Sequence, residues 1–477
     1  MKINLEEIEK EDLKWDTVLE TLEGTRIGNT HIPGNKKKAV DQSSDILTRD
    51  YAFKTMLDNE ELWYYDNGYY KPIGEALIKD IIQKQPVLKE MLTVTFINEI
   101  IQSVKRKTYI EREKFEAPLN LICLKNGVYN LNEKNLIKHS PEYYFKNKIN
   151  INYNPESTCP KIDEFLKSTL EKKYIQLGYE IPAWCLYRKY FIQKAIMLTG
   201  VGQNGKSIYL DLVTTVLGLN NCSSETLQNI CNTNWGTAQL YGKLANVCGD
   251  LPSVLLKDSG EFKKLTSGFV GDAISAQKKF QDPFQFVNNA KLLFATNEVP
   301  ESKDQSNGFF RRWTIIDFPY TFVSGLSEDE YKGFIQKENK EIINELTTQS
   351  ELEGFLYKIL INLESLLKNK EFSVSPTTEE VKNKYNMKSN SSVVFIETYI
   401  TDEVVEDDTD TEPYILKEFL LKEYLAWCEY NGIQAKSNES FYKHLRDRWQ
   451  PETSKKTVAL GKRKNVYLGI DYISWRS

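Results

Sequence analysis

No pair of cysteines stands at metal-ligand spacing in this sequence. Its seven cysteines are scattered, odd in number and free of any CxxC motif. That usage speaks against a disulfide scaffold and a thiolate zinc site, and fits free, mostly buried thiols in a reducing compartment. Histidine is scarcer still: three in 477 residues leave little for a metal hydrolase to use. No apolar run approaches the ~18 residues of a membrane span. The opening Met1-Lys2-Ile3-Asn4-Leu5-Glu6-Glu7 carries no signal-peptide pattern. A cytoplasmic protein without a membrane partner is expected. Strong charge of either sign is missing too, and a net charge of -5 neither demands nor excludes a nucleic-acid partner.

What is present is a globular composition, 40% apolar and 27% charged, in a chain long enough for roughly two to four domains. Residues 1–45 are polar, with Gly34-Asn35-Lys36-Lys37-Lys38 expected as a mobile basic loop. A mostly helical α+β domain is expected over 46–160. Within it, Leu62 to Tyr70 reads as a hairpin around Asn67-Gly68, and Leu121 to Tyr129 as a second strand-rich piece. From 161 to 370 a helical approach leads into apolar strands alternating with helices, the pattern of a parallel α/β core. A connector with the acidic run Asp402 to Asp410 fills 371–411. Residues 412–477 promise two helices, Leu416 to Tyr430 and Ser440 to Trp449. Two strands then flank the basic turn Gly461-Lys462-Arg463-Lys464, the first of them Thr457 to Leu460.

The chemistry begins at Gly200-Val201-Gly202-Gln203-Asn204-Gly205-Lys206-Ser207, which follows the apolar strand candidate Ala195 to Leu198 and precedes a helix candidate, Ile208 to Leu217. This is the phosphate-loop pattern G-x-x-x-x-G-K-[ST] in its proper context. Glycines let the backbone wrap phosphates with its N–H groups pointing inward, and the helix N-terminus adds its positive end. Gly200, Gly202, Gln203, Asn204 and Gly205 would form the cradle. Lys206 would reach the β- and γ-phosphates of ATP, and Ser207 would hold Mg²⁺.

A phosphate loop also needs acid and polar groups from neighbouring strands. Leu244 to Asp250 supplies one acid, Asp250, at a strand's C-terminal edge, where open α/β sheets place ligands; it is the second candidate for Mg²⁺. Lys291 to Asn297 ends in Asn297, able to orient a water against the γ-phosphate. Gly308-Phe309-Phe310-Arg311-Arg312-Trp313 puts two guanidiniums before a further strand, suited to neutralising charge on a transferred phosphoryl group when supplied from a neighbouring copy.

The order of G-V-G-Q-N-G-K-S (200–207), N-V-C-G-D (246–250), F-K-K-L-T-S-G-F-V-G-D (262–272), L-L-F-A-T-N-E-V-P (292–300) and G-F-F-R-R-W (308–313) resembles superfamily 3 helicases. It resembles above all the helicase part of phage and plasmid primase-helicases, the group that includes poxvirus replicative helicase-primases. Leu124 to Tyr129 and His139 to Glu142 also resemble the domain preceding the ATPase in that group. The resemblance implies an AAA+-type core, assembled as a homo-hexameric ring around DNA and unwinding duplex with ATP. It matches Lys206 and Ser207 to the Walker A pair, Asp250 to the Walker B acid and Asn297 to the sensor. Arg311 or Arg312 matches the arginine finger. Gly249 stands where some members carry a second acid, which leaves the water-activating group open.

The resemblance further implies a hairpin between Asp250 and Asn297 that enters the central channel. Lys278 and Lys279 are placed for it, gripping single-stranded DNA by its phosphates, with Phe280 packing or stacking beside them. The C-terminal part resembles a winged helix, with Lys443, Arg446 and Arg448 on its second helix and Lys462, Arg463 and Lys464 on the wing. Such a basic face suits duplex DNA or a protein partner, and fold does not choose between them.

Two readings follow: a replicative helicase, or a DNA-dependent ATPase that loads or remodels nucleoprotein without separating strands. No D-x-D motif with an accompanying histidine precedes residue 150, so priming is expected of a separate primase or of another part of a longer polyprotein. Viral or plasmid origin, hence a host-cell cytoplasm, comes from the resemblance.

Overall fold

Asn67-Gly68 turns the chain where its dipeptide chemistry demands. In the computed structural model both residues have positive φ, 48° and 108°, and close strand Leu62–Asp66 onto Tyr69–Lys71. A side chain at Gly68 would also meet the His139 ring at 2.7 Å. The structure describes residues 15–27, 30–200, 202–268, 270–279, 283–325, 333–401, 414–431, 433–457, 463–468 and 470–476. They fall into two units, Met1–Tyr153 and Asn154–Ser477.

In the first unit the hairpin belongs to a four-stranded sheet ordered Tyr69–Lys71, Leu62–Asp66, Phe53–Met56, Tyr109–Ile110. Helices Lys36–Asp50 and Val94–Lys107 pack through Ile46, Leu47, Ile100 and Val104 into a core shared with Phe53 and Leu62. The segment Lys36 to Lys38 is the first turn of a helix, not a mobile loop. Asn35 caps it by accepting from the Lys38 N–H at 3.0 Å, and Lys36 pairs with Glu99 at 2.8 Å. Burial of Ala39 and Val40 on the next turn holds that start in place. A three-stranded antiparallel sheet, Leu121–Cys123, Val128–Asn130 and Asn135–Ile137, completes the unit.

The second unit has a mixed α/β architecture around a parallel sheet. Its strands are β1 (Ala195–Thr199), β2 (Cys222–Ser223), β3 (Ala245–Cys248), β4 (Lys291–Thr296) and β5 (Trp313–Asp317), in the spatial order β2-β3-β4-β1-β5, all parallel. Every residue of β1, β3 and β4 is buried, as expected of parallel strands covered on both faces. Helix α1 (Pro160–Thr169) leads in, and Glu351, from the long helix Gln349–Asn369, accepts from the Lys161 and Ile162 N–H groups at its start. Helix α2 (Lys206–Leu217) follows β1.

Helix α3 (Thr378–Ser389) opens with a capping box between Thr377 and Glu380 and runs to the C-terminal module. That module holds α4 (Ser391–Tyr399), α5 (Lys417–Tyr430) and α6 (Asn438–Trp449). A three-stranded sheet completes it, with Arg463–Leu468 between Tyr414–Leu416 and Glu452–Thr457. Its core joins Phe395 and Ile396 of α4 to Tyr424, Trp427, Phe441 and Leu445. The strand expected over Thr457 to Leu460 is instead Glu452–Thr457, and 458–460 lie outside the described residues, as does the acidic run 402–410. Among the described residues, no helix is long and apolar enough to cross a membrane.

Candidate functional site

β1 ends at Thr199, and the loop that follows cannot be built without glycine. Gly202 and Gly205 have φ of 97° and 85°, and Gln203 between them has 47°. At Gly200 a Cβ would fall 1.9 Å from the Asn204 amide nitrogen and 2.7 Å from the Phe318 carbonyl oxygen. The loop is fastened to its surroundings. The Phe322 N–H donates to the Gln203 carbonyl at 2.6 Å, and the buried Asn204 amide donates to the Phe318 carbonyl at 3.3 Å. Val201 lies outside the described residues.

Lys206, the first residue of α2, is 6% exposed. Its Nζ donates to the Gly200 carbonyl at 2.8 Å, to Asn204 Oδ1 at 3.1 Å and to Asn297 Oδ1 at 3.0 Å. All three acceptors are neutral oxygens. Burial pushes the Lys206 ammonium down to about 8, against a partial counterpull from Asp250. The N-cap of α2 is Gly205, which offers no side chain to the first turn, where the Lys206 N–H meets Asn204 Oδ1 at 3.5 Å. A buried cation without a carboxylate partner, at a helix start whose N-cap is glycine, has the chemistry to receive an anion.

The strand order delivers the remaining groups. β4 is the direct neighbour of β1 and β3 lies beyond it, so Asn297 and Asp250, each just past a C-terminal strand end, share the edge with the loop. Both are exposed, and both line a cavity of 740 Å³ with Gly202 to Ser207 and Gly249. The Leu251 N–H donates to the Ala295 carbonyl at 2.8 Å, which holds the two strand ends together. Ser207 and Asp250 offer hydroxyl and carboxylate oxygens, the chemistry Mg²⁺ takes when substrate phosphates supply the rest. The far wall of the cavity comes from Phe165 and Ser168 of α1, Phe322, and the segment 336–345. None of these was singled out from the sequence, because a wall assembled from distant segments leaves no local motif.

Arg311 and Arg312 lie at the opposite edge of the sheet. Trp313 begins β5 in register with Ala195, the first residue of β1, and the Ala195 N–H donates to the Arg312 carbonyl at 2.6 Å. At ~3.3 Å per residue the five-residue strand separates that edge from the loop by at least ~13 Å. These arginines are therefore not brought to the Lys206 cavity of their own chain. They also differ from one another. Arg312 is buried, its guanidinium donates to the Gly308 carbonyl, and its Nε has no partner. Arg311 is exposed and donates to Gln193 Oε1 at 2.7 Å.

Lys278 and Lys279 follow strand Ala273–Ala276, which pairs antiparallel with Phe284–Val287. Lys278 is half-buried and Lys279 exposed, in the connection of a two-stranded hairpin. The hairpin is anchored by Ile274, Ala276 and Phe286 in the core and by Phe284 and Phe286 against Tyr241. Phe280 and Lys462 lie outside the described residues, and for Arg463 only the backbone is described. Lys464 pairs with Glu418 at 2.8 Å, so part of the wing's positive charge is compensated locally. Lys443, Arg446 and Arg448 are exposed on α6.

A feature the sequence did not signal is Asp317 at the C-terminal end of β5. Its carboxylate accepts from Thr199, the residue that launches the loop, at 2.7 Å. It also pairs with Lys384 at 2.7 Å and Lys388 at 2.8 Å, one turn apart on α3. Burial pulls the Asp317 carboxyl upward, but the two lysines outweigh it and bring it down to about 2.

Known proteins share parts of this chain. Residues 45–171 match the family described as D5 N terminal like, and 198–312 match a family of unknown function, DUF5906. The chain is 25% identical over 360 residues to "Putative helicase 121R" of Invertebrate iridescent virus 3, covering 69% of this chain and 37% of that protein. It is 24% identical over 293 residues to "Putative helicase L207/L206" of Acanthamoeba polyphaga mimivirus, covering 59% and 30%. The apo structure of the NrS-1 C terminal region aligns with 89% of this chain and 98% of its own, at 16% identity and a TM-score of 0.45. The chain spans about a third of the length of the curated viral relatives it matches. Its similarity lies with viral proteins named as helicases, joined to a D5-type N-terminal region.

Proposed function

We propose that this chain is the motor part of an ATP-dependent replicative DNA helicase of superfamily 3, with an AAA+-type core that works as a homo-hexameric ring. The observation that carries the reading is Lys206: a buried ammonium held by neutral oxygens, at a helix start whose N-cap is glycine, in a cavity shared with Asp250 and Asn297. The similarity to viral proteins named as putative helicases supports a motor acting on nucleic acid.

In this reading the loop N–H groups and Lys206 bind the triphosphate. Ser207 and Asp250 would hold Mg²⁺, which would supply positive charge against the triphosphate. Asn297, already hydrogen-bonded to Lys206, gives up that bond and orients the attacking water. Arg311, exposed at the far edge, reaches the γ-phosphate of a neighbouring copy, while Arg312 stays in the core. Lys278 and Lys279 hold DNA phosphates in the channel. The segments 1–45, 46–160, 161–370, 371–411 and 412–477 are the proposed division, with α4 of the 371–411 connector packed into the core of the winged-helix-like module that follows it.

Strand displacement on a forked DNA tests this, with ATP hydrolysis followed in parallel for the wild type and Lys206→Ala. Unwinding and hydrolysis that both vanish in the variant establish the motor. DNA-stimulated hydrolysis without displacement identifies a loader or remodeller instead. A wild-type chain inactive in both assays ends the motor assignment for the chain acting alone.

A further inference from the structure

The loop after Asn297 is held at three places by the C-terminal module and the helix leading into it. Glu298 pairs with Lys436, which lies between α5 and α6. The Pro300 carbonyl accepts from the buried Tyr385 hydroxyl of α3 at 2.7 Å. Glu301 accepts from Asn390, the N-cap of α4, at 3.1 Å. Lys436 is itself placed from within the module's core: its N–H donates at 2.7 Å to the hydroxyl of Tyr424, which meets Ser391 at 2.7 Å. The other side of the site is gripped from the same direction, through Lys384 and Lys388 on Asp317 and from there to Thr199.

We infer that Lys436 and Glu298 are positioning residues for Asn297, through which the C-terminal module sets the turnover of the nucleotide site and is in turn informed of its occupancy. The inference rests on the proposal that Lys206 binds a nucleoside triphosphate. Asn297 is tied to Lys206, one residue from the Glu298–Lys436 pair. A triphosphate that takes Lys206 from Asn297 releases one end of a short segment whose other end the module holds. By linkage, whatever nucleotide does to the module, a ligand on the module does to nucleotide affinity. A basic module seated on DNA would thus report to the ATP site along this path.

The test uses the full chain, with Mg²⁺ and a fluorescent ATP analogue as the probe. Wild type is compared with Lys436→Ala, Lys436→Arg, Glu298→Gln and the swap Glu298→Lys with Lys436→Glu. Steady-state hydrolysis, analogue affinity, and hydrogen exchange over 436–449 with and without nucleotide are measured on each. Lys436→Ala and Glu298→Gln are expected to lower kcat about tenfold with KM near wild type, a smaller fall than the ~10²–10³ that follows removal of a group acting directly on the transition state. The arginine and swapped variants are expected to recover most of that activity. Nucleotide is expected to change exchange over 436–449 in wild type and not in Lys436→Ala. Equal kcat in all variants, with exchange over 436–449 indifferent to nucleotide, overturns the coupling and leaves the nucleotide site standing. A fall in kcat that Lys436→Arg and the swap share with Lys436→Ala also overturns it, as a purely structural effect. A wild-type chain that binds no analogue brings down the nucleotide proposal and this inference together.

Discussion

Lys206 Nζ lies 3.0 Å from Asn297 Oδ1, so the lysine of the glycine-rich loop and the polar residue ending the adjacent strand are hydrogen-bonded to each other. The pairing exists because β1 and β4 are direct neighbours and parallel, which brings the residues after Thr199 and Thr296 to one edge. It also means that a bound γ-phosphate has to compete for the same ammonium.

If Lys206 binds a nucleoside triphosphate as proposed, its lowered pKa predicts pH-dependent binding. Burial is the main cause of its fall to about 8, and a bound polyphosphate would raise it again. The free site is charged below about pH 8 and loses its proton above it. Affinity should therefore hold at neutral pH and weaken by up to ~tenfold per pH unit above about 8. For stability of the free chain the sign is reversed. The unfolded lysine binds more protons between about 8 and its ordinary ~10.4, so this group's penalty is relieved as pH rises through that window. Nucleotide titrations from about pH 7 to pH 9.5 check the binding trend. Lys206→Arg, whose guanidinium stays charged, should show no such fall, and a flat wild-type curve would refute the assignment.

The two arginines should fail differently. Arg311→Ala is expected to fold normally and bind nucleotide, yet hydrolyse it ~10³-fold more slowly. Mixing it with Asp250→Asn should restore activity in part, because a ring built from both contains intact Arg311 facing intact Asp250. Arg312→Ala should lose stability, on the order of 1–3 kcal/mol, since the guanidinium fills a buried position and donates to Gly308. Thermal unfolding and subunit-mixing assays separate the cases. Activity that never returns on mixing would argue against a finger supplied by a neighbour.

Lys278 and Lys279 should act on DNA without regard to sequence. Replacing both with alanine is expected to weaken single-stranded DNA binding. It should also reduce the salt slope of log K by about 0.7 for each phosphate left without its lysine. Binding to strands of different sequence, measured across salt concentration, is the check. An unchanged slope with unchanged affinity would remove the hairpin from the DNA path.

Much of the second unit was legible because its signals are local. The buried parallel strands β1, β3 and β4 are mostly apolar runs, broken by Asn246 in β3 and opened by Lys291 in β4, and each leads into the residue singled out at the edge. The phosphate loop announces itself through glycines whose positive φ no other residue accepts cheaply. Other features were hidden for equally physical reasons. Lys36 to Lys38 read as a solvated loop, since the Asn35 cap and the buried Ala39 and Val40 show their effect only once the helix packs. Strand Glu452–Thr457 carries polar residues throughout and owes its existence to pairing with Arg463–Leu468. Lys291 starts β4 completely buried, with its ammonium on the Asn289 and Tyr187 carbonyls, a placement no charge pattern suggests.

Residue order alone determines the glycine-rich loop after β1, the strand-end positions of Asp250 and Asn297, and the alternation that makes a parallel core. Glycine conformations and side-chain periodicity are properties of neighbouring residues, and neighbours are written in order. Strand order settles the rest. It put Asn297 against Lys206, sent Arg311 and Arg312 to the far edge, buried one of them and exposed the other. It also brought Lys384, Lys388 and Lys436 from the C-terminal third onto the residues that frame the site. Those relations join residues tens to more than a hundred positions apart, and they exist only after the sheet has closed and the helices have covered it.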